Sequence, residues 1–224
     1  MTPTATLTRI RLNPHHHAVR RDLADRVQLH KTLMRLTPGT PSPHPRRDAG
    51  LLFRLDTDQQ DECTLLVQTA QPPHLAGLPD HYGTLLAARD LTPVLHAFTV
   101  GQYVRYRITA APVRHLPGPL CGRRPDGRLL RRRGTPTALH GHDAALWWQR
   151  RAGQSGLALT DISLTPQAFE RSPHTPHRPG LDHQLIQFDG HARITDALLL
   201  AQSVCRGIGR AQSYGAGLLS LAPA

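Results

Sequence analysis

The sequence predicts an α+β protein built from two tandem ferredoxin-like (RRM-like) βαββαβ domains. Short segments rich in β-branched and apolar residues alternate with segments of helical periodicity, and the order strand, helix, strand, strand, helix, strand fits both halves of the chain. A length of 224 residues is enough for two domains of this size. We place the boundary near Pro112, which divides the chain into residues 1–112 and residues 113–224.

The first half begins with a strand and a helix. Residues 4–12 are rich in β-branched side chains, alternate imperfectly and end at Asn13-Pro14, which is typical of a strand followed by a turn. A single helix is predicted next, because leucines recur at helical spacing before Pro38-Gly39. Either Asp22 or Asp25 can cap this helix.

Three strands complete the first half. Residues 51–55 and 64–69 are predicted to form two strands joined by an acidic turn. Residues 72–99 give a poor signal, with a short helix near Leu85 or Pro93. Residues 101–110 are predicted to be the closing strand, since Tyr103, Arg105 and Arg107 alternate with apolar residues.

The second half repeats this order more loosely. Residues 116–134 hold many arginines, glycines and prolines, which indicates a basic loop or hairpin. A helix is predicted over residues 138–152, strands over 157–164 and 184–194, and another helix after Asp196. An apolar run at residues 218–221 is predicted to be the last strand.

The charge balance points to a polyanionic partner. Lys and Arg number 27 against 16 acidic residues, which gives a net charge of +11. Lys31 is the only lysine, so nearly all the cations are guanidinium groups that suit bidentate phosphate contacts. Aromatic residues make up only 4% of the chain, which argues against a stacking platform for single strands and favours structured RNA.

Cysteine and histidine patterns predict no metal site and no cofactor. The three cysteines are far apart and form no C-x-x-C pair, so neither a disulfide framework nor a thiolate zinc site is indicated. The triplet of His15, His16 and His17 is unsuited to one ion, because neighbours on an extended chain point to opposite sides, and a solvent-exposed turn with phosphate contacts is favoured. With no signal peptide or membrane span in the sequence, we predict a cytoplasmic protein.

The most distinctive segment lies near the end of the chain, at residues 206–223, RGIGRAQSYGAGLLSLAP. Four glycines and two arginines without an acid could let backbone N–H groups converge on a phosphate. A tight structural turn between helix and strand would use the same glycines. Both interpretations are compatible with the local pattern.

This segment resembles the C-terminal signature of the CasE family, the type I-E CRISPR-associated endoribonucleases. Further matches lie earlier in the chain, in the expected order, at residues 11–14 (RLNP), 18–25 (AVRRDLAD), 28–33 (QLHKTL), 101–108 (GQYVRYRI) and 187–190 (QFDG). Residues 113–179 match poorly. The resemblance implies tandem ferredoxin-like domains and metal-free cleavage of CRISPR repeat RNA at a stem-loop. It also implies that the protein stays on the 3′ stem-loop of the mature crRNA and joins other subunits in the Cascade complex.

Within this resemblance, His30 falls on the position of the catalytic histidine. Imidazole can give or take a proton near neutral pH, and the sequence leaves open whether His30 is the base or the acid. A buried, hydrogen-bonded core histidine is the alternative, because His30 lies toward the apolar side of its predicted helix. Many family members carry a tyrosine three residues before the histidine, where this chain has Val27.

The candidate RNA-binding residues are basic side chains and members of the glycine-rich segment. Lys31 and Arg35 are i, i+4 neighbours that can face one line of phosphates. Arg210 is expected to supply the charge of a lysine that the family usually has at the position of Gln212. The full set is Arg20, Lys31, Arg35, Arg128, Arg131, Arg132, Arg133, Arg171, Arg178, Gly207, Gly209, Arg210, Gln212, Gly215 and Gly217.

Two other functions compete with the endoribonuclease. The same fold could be an RNA-holding structural subunit with weak or lost cleavage, for which Val27 is the motivating residue. A general basic RNA-binding protein would explain the charge but not the terminal signature.

Overall fold

A computed structural model describes residues 3–37, 39, 42–57, 62–116, 118–123, 126–131, 134, 136–167 and 184–224. The first half contains β1 (Thr6–Leu12), α1 (His17–Ala24), α2 (Arg26–Met34), α3 (Pro45–Asp48), β2 (Leu52–Thr57), β3 (Cys63–Thr69), β4 (Gly83–Asp90) and α4 (Thr92–His96). The second half contains β5 (Tyr103–Ala110), β6 (Val113–His115), β7 (Leu120–Arg123), β8 (Leu129–Arg131), β9 (Pro136–Ala138), α5 (Gly141–Gly153), β10 (Leu157–Leu159), β11 (Ser163–Gln167), β12 (Leu185–Ile194), α6 (Ala197–Arg206) and β13 (Leu219–Pro223).

The strands form two main antiparallel sheets, which confirms the predicted α+β class. The first sheet has the order β2-β3-β1-β4. The second has the order β10-β12-β5-β13, with β11 pairing along the other end of β12. The basic segment forms a hairpin from β7 and β8, one of the two forms predicted for it.

The strand at residues 101–110 was predicted correctly as a strand but wrongly as the last strand of the first sheet. β5 pairs with β12 and β13, so it lies in the middle of the second sheet. The first sheet is completed by β4 on β1, so the helix predicted near Leu85 is wrong, whereas α4 begins next to Pro93 as predicted. Pairing with β1 makes this segment a strand, although Leu85 and Leu86 are both exposed on this edge strand. We propose a boundary between β4 and β5, ahead of Pro112.

The single helix predicted after β1 is two helices separated at Asp25. Asp25 has an extended backbone and its carboxylate accepts a hydrogen bond from the Val27 amide at 2.8 Å, so it caps α2 as predicted. Asp22 caps neither helix: it is buried in α1 and accepts hydrogen bonds from the Tyr82 hydroxyl at 2.9 Å and from Arg21. His16 caps α1, with its Nδ1 accepting from the Ala18 amide.

Each sheet buries one face against helices. Leu29 and Leu33 of α2 pack with Ile10 and Leu65 of the first sheet. On the second sheet, a larger core contains both tryptophans, Phe188 and the apolar face of α6. Among the described residues, no helix is long and apolar enough to cross a membrane.

Polar contacts join the first sheet to the second sheet and to the end of α6. Arg54 of β2 is 4% exposed, is paired with Asp56 at 2.7 Å and donates to the Ser220 hydroxyl of β13 at 2.9 Å. The buried Gln68 side chain of β3 donates to the Val204 carbonyl of α6 at 2.9 Å. A buried charge needs such partners, so these contacts hold the end of α6 and β13 against the first sheet.

Candidate functional site

His30 lies in the middle of α2, at the border between the core and the surface. Leu29 and Leu33 are fully buried, and His30, next in sequence to Leu29, is half-buried. Its Nδ1 is inaccessible to water and has no hydrogen-bond partner among the described residues. A core histidine would normally have this nitrogen satisfied, so the geometry does not match the hydrogen-bonded structural alternative.

Arg46 of the short helix α3 supplies positive charge near His30. Its guanidinium donates to the Leu51 carbonyl at 3.1 Å and has no carboxylate partner within the described part of the chain. Burial, and secondarily the charge of Arg46, lower the pKa of His30 below its ordinary value. The neutral imidazole, which can accept a proton, is therefore the favoured form at neutral pH.

Basic side chains follow α2 and α1 around this histidine. Arg26 precedes His30 by one helical turn, is partly buried, and pairs with no described carboxylate. Lys31 and Arg35 are exposed at the end of α2, and Arg20 is exposed on α1. The structure therefore places these three predicted RNA-binding residues on α1, α2 and the residue that ends α2.

Neither Val27 nor Tyr82 offers a phenol at the site. Val27 is half-buried in the first turn of α2. Tyr82 is fully buried and its hydroxyl donates to Asp22, and burial followed by the Asp22 charge raises the pKa of Tyr82. A hydroxyl held in this way is committed to the fold.

The glycine-rich loop, residues 207–217, passes around the edge of the first sheet. A Cβ on Gly207 would lie 2.6 Å from a methyl group of Leu52, and a Cβ on Gly215 would lie 3.1 Å from the Phe53 ring. Leu52 and Phe53 are consecutive residues of the edge strand β2, so their side chains point to opposite faces. The loop thus wraps this edge, and its 3-10 turn Gln212–Tyr214 contacts α2.

Hydrogen bonds inside the loop use many of its amides. The Ile208 amide donates to the Gly217 carbonyl at 2.9 Å, and the Gly217 amide donates to the Thr109 carbonyl of β5 at 2.7 Å. By contrast, the amides of residues 209–213 donate to no acceptor in the described chain. The loop amides without an internal acceptor are therefore those of residues 209–213, of which Gln212 and Ser213 belong to the turn that contacts α2.

The positive backbone angles explain why the loop needs glycine. Gly207, Gly209, Gly215 and Gly217 have φ values of 75°, 86°, 90° and 88°. Gly207, Gly215 and Gly217 would also crowd their neighbours with a Cβ, whereas the nearest atom to a Cβ on Gly209 is 3.4 Å away on Trp147. Gly207, Gly215 and Gly217 therefore shape a packed turn, one of the two interpretations of the sequence, and phosphate binding by the loop stays a prediction.

The charged and amide side chains of the loop have different surroundings. Arg210 is exposed, and its guanidinium lies 2.9 Å from Nε2 of His115 on β6. Gln212 instead donates to the Arg206 carbonyl at 3.3 Å, across the mouth of the loop. Arg210 thus presents a charge to solvent, and Gln212 stabilises the loop.

The remaining predicted arginines are far from α2 in sequence. Arg128 lies in the exposed turn between β7 and β8, 3.9 Å from Asp126. The backbone of Arg131 belongs to β8. Arg132, Arg133, Arg171 and Arg178 lie outside the described residues.

Sequence reasoning missed Arg46 and Arg26. Arg46 lies in a segment rich in proline, histidine and arginine, and Pro45 at the first turn of α3 is its only local signal. Arg26 had a clearer signal, since it precedes His30 by four residues on the same helix.

Comparisons with known proteins point in one direction. Residues 7–223 match the model of a family described as CRISPR associated protein. The chain is 28% identical to the CRISPR-associated endoribonuclease Cse3 of Thermus thermophilus, covering 97% of this chain and 99% of that protein. It is 30% identical to the CRISPR system Cascade subunit CasE of Escherichia coli, covering 89% and 92%.

Solved structures give the same result. A structure of the endoribonuclease Cse3 bound to 19 nt RNA superposes with a TM-score of 0.76 at 26% identity, covering 98% of this chain and 100% of that one. A chain of a CRISPR RNA-guided surveillance complex superposes with a TM-score of 0.62 at 32% identity, with 98% and 100% coverage.

We expect Gly207→Ala to destabilise the protein more than Gly101→Ala. Gly101 has a φ of 93° and open space around it, so this control reports the backbone strain alone, about 1 kcal/mol. At Gly207 the added methyl also meets the buried Leu52 side chain, so the loss in unfolding free energy should reach about 3 kcal/mol. Urea unfolding measures both, and equal losses would contradict the packing of the loop on β2.

Proposed function

The chain belongs to the family of CRISPR associated proteins, and we propose that it is an endoribonuclease that cleaves CRISPR repeat RNA at a stem-loop without a metal ion. The observation that supports this proposal most strongly is the state of His30. This half-buried imidazole has an unpartnered Nδ1, lies near a guanidinium without a carboxylate, and belongs to a helix in contact with the glycine-rich loop.

The proposed partners follow from the relatives. The Thermus protein is named an endoribonuclease and its structures contain RNA, and the Escherichia coli protein is named a Cascade subunit. We propose that this chain likewise keeps hold of the 3′ stem-loop of its crRNA product and assembles with other Cascade subunits.

His30 is the general base in this mechanism. Its neutral imidazole removes the proton from a ribose 2′-OH, and the resulting oxygen attacks the adjacent phosphorus. The bond from phosphorus to the 5′ oxygen then breaks, that oxygen takes a proton from water, and His30 returns its proton to the solvent. The products are a 2′,3′-cyclic phosphate and a 5′-OH, and proton transfer of this kind contributes roughly 10² to 10⁴ in rate.

Arg46 stabilises the negative charge that develops on the phosphate. Its guanidinium is partly buried and has no carboxylate partner among the described residues, so a bound phosphate can serve as its counter-ion. A positioned cation of this type replaces the charge that a metal ion would otherwise supply. Arg26, one turn before His30, is a second candidate for the same role.

The stem is bound by a basic surface around this site. Arg20, Lys31, Arg35 and Arg210 are exposed and contact phosphates, together with the open amides from Gly209 to Ser213. Gly207, Gly215, Gly217 and Gln212 hold the loop in shape. Further arginines extend the contacts along the stem: Arg128 and Arg131 of the β7–β8 hairpin, and Arg132, Arg133, Arg171 and Arg178.

A non-cleaving RNA-binding subunit of the same fold is the second candidate. The observation in its favour is Val27, at a position where the resemblance to the CasE family implies a tyrosine, and the Tyr82 hydroxyl is bonded to Asp22. Binding without cleavage would then be the whole function, and the basic surface would be unchanged.

Cleavage of a CRISPR repeat hairpin should persist in EDTA. We expect this because His30 and Arg46 supply the proton acceptor and the positive charge. Denaturing gels measure the cleavage, and resistance of the new 3′ end to ligation reports the cyclic phosphate. A hairpin that is bound tightly but left intact would favour the structural subunit, and strict dependence of the chemical step on a divalent ion would contradict the metal-free mechanism.

The pH dependence of cleavage should show a base with a lowered pKa. As pH falls, His30 becomes protonated and can no longer accept a proton, so kcat/KM should decline with a midpoint below 6.5. Arg46→Gln removes a neighbouring positive charge and should move this midpoint upward, whereas Arg20→Gln on α1 should leave it in place. A rate that declines as pH rises through this range would identify His30 as the acid instead.

A further inference from the structure

The face of the second sheet opposite its helices meets Arg54 of β2 at Ser220 and is exposed toward the end that carries Tyr103. Along β5, Val104, Tyr106 and Ile108 are buried in the core, so the alternate residues Tyr103, Arg105 and Arg107 point the other way and are exposed. Tyr103 is 56% exposed, which is unusual in a chain whose aromatic residues are few. No part of the proposed mechanism uses this face.

Neighbouring strands add more basic groups to the same face. Arg193 of β12 lies directly opposite Tyr103, and His191 lies opposite Arg105. Both side chains are exposed. Successive outward residues of a strand are about 6.8 Å apart, so Tyr103, Arg105 and Arg193 form one compact group at the end of the sheet.

Positive charge is in excess at this end of the face. Arg107 is paired with Asp189 at 2.5 Å, and His191 is paired with Asp161 at 2.8 Å. Within the described residues, Arg105 donates only to the Pro223 carbonyl at 3.3 Å, and Arg193 has no partner. The two arginines that flank Tyr103 are therefore the ones without a carboxylate.

A groove of about 630 Å³ continues from Arg105 along this face. Asp161 forms one wall of the groove and can lie close to β12 because residue 190 is a glycine. A Cβ there would lie 2.4 Å from the Asp161 carbonyl and 2.8 Å from the Tyr106 hydroxyl. The Tyr106 hydroxyl donates to that carbonyl at 2.9 Å. The Gln187 to Gly190 segment has no role in the proposed mechanism. This close packing is the structural reason for its glycine.

We propose that this face is a second RNA-binding surface that takes single-stranded RNA adjoining the stem-loop, with Tyr103 stacking on a base and Arg105 and Arg193 contacting phosphates. Uncompensated arginines beside an exposed aromatic ring are the chemistry that recognises a single strand. One tyrosine stacks one base, which agrees with the low aromatic content. The inference rests on the proposed RNA-processing function.

Binding of two matched RNAs tests this surface. One is the repeat hairpin alone, and the other is the same hairpin with eight uridines added at its 5′ end. For the wild-type chain the extension should tighten binding about tenfold, because stacking and phosphate contacts are added. In the triple variant Tyr103→Ala, Arg105→Gln, Arg193→Gln this gain should disappear, while the Kd for the hairpin alone stays within about twofold.

Two controls separate stacking and charge from general effects. Tyr103→Phe keeps the ring and should retain most of the gain. Arg150→Gln removes an exposed charge from α5, on the helical side of the sheet, and should leave the gain unchanged. Melting temperatures of all variants close to that of the wild type will show that the face itself is responsible.

Specific outcomes would overturn the proposal. An extension that adds no affinity to the wild type would do so, as would a gain that survives in the triple variant. Loss of assembly with partner subunits and an unchanged gain would assign the face to a protein instead. If the hairpin itself is not bound, the proposed RNA-processing function fails. In that case, binding of free octauridylate to the wild type but not to the triple variant would still support this surface.

Discussion

The contact between the glycine-rich loop and the edge of β2 is the constraint on which the candidate site depends. Gly207 packs on Leu52 at one face of that strand and Gly215 packs on Phe53 at the other, which carries the 3-10 turn of the loop onto α2. A loop from the end of the chain thereby meets the helix that carries His30. Any side chain at position 207 would separate the loop from β2 and from the helix that carries His30, because φ is positive there and the space is filled by Leu52.

Much of the fold could be predicted from local pattern, but the partner of a strand could not. The alternation along Tyr103–Ala110 identified β5 correctly, yet pairing with β12 and β13 depends on residues more than 75 positions away. β4 was missed because Leu85 and Leu86 on its exposed edge lack the period of a half-buried strand. Asp25 was one of two cap candidates, and neither the choice between them nor the break between α1 and α2 could be predicted without its extended backbone angles.

The candidate site divides in the same way. His30 and the glycine-rich segment could be found because they lie in continuous stretches that resemble a known family. Arg46 could not, because its position near His30 arises from tertiary packing of a short helix within a proline-rich segment. Within the loop, Gly207 and Gly215 are packed against β2, whereas the amides near Gly209 have no acceptor among the described residues. This difference depends on spatial neighbours that the sequence does not reveal.

Separating chemistry from binding at His30 tests the central claim most directly. His30→Ala removes one proton acceptor, while affinity for the stem is spread over many arginines and amides. We expect the single-turnover cleavage rate to fall by roughly 10² or more, about 3 kcal/mol of barrier, with hairpin affinity within a few-fold of the wild type. A variant that loses stability, affinity and cleavage together would show instead that His30 is a structural residue of α2.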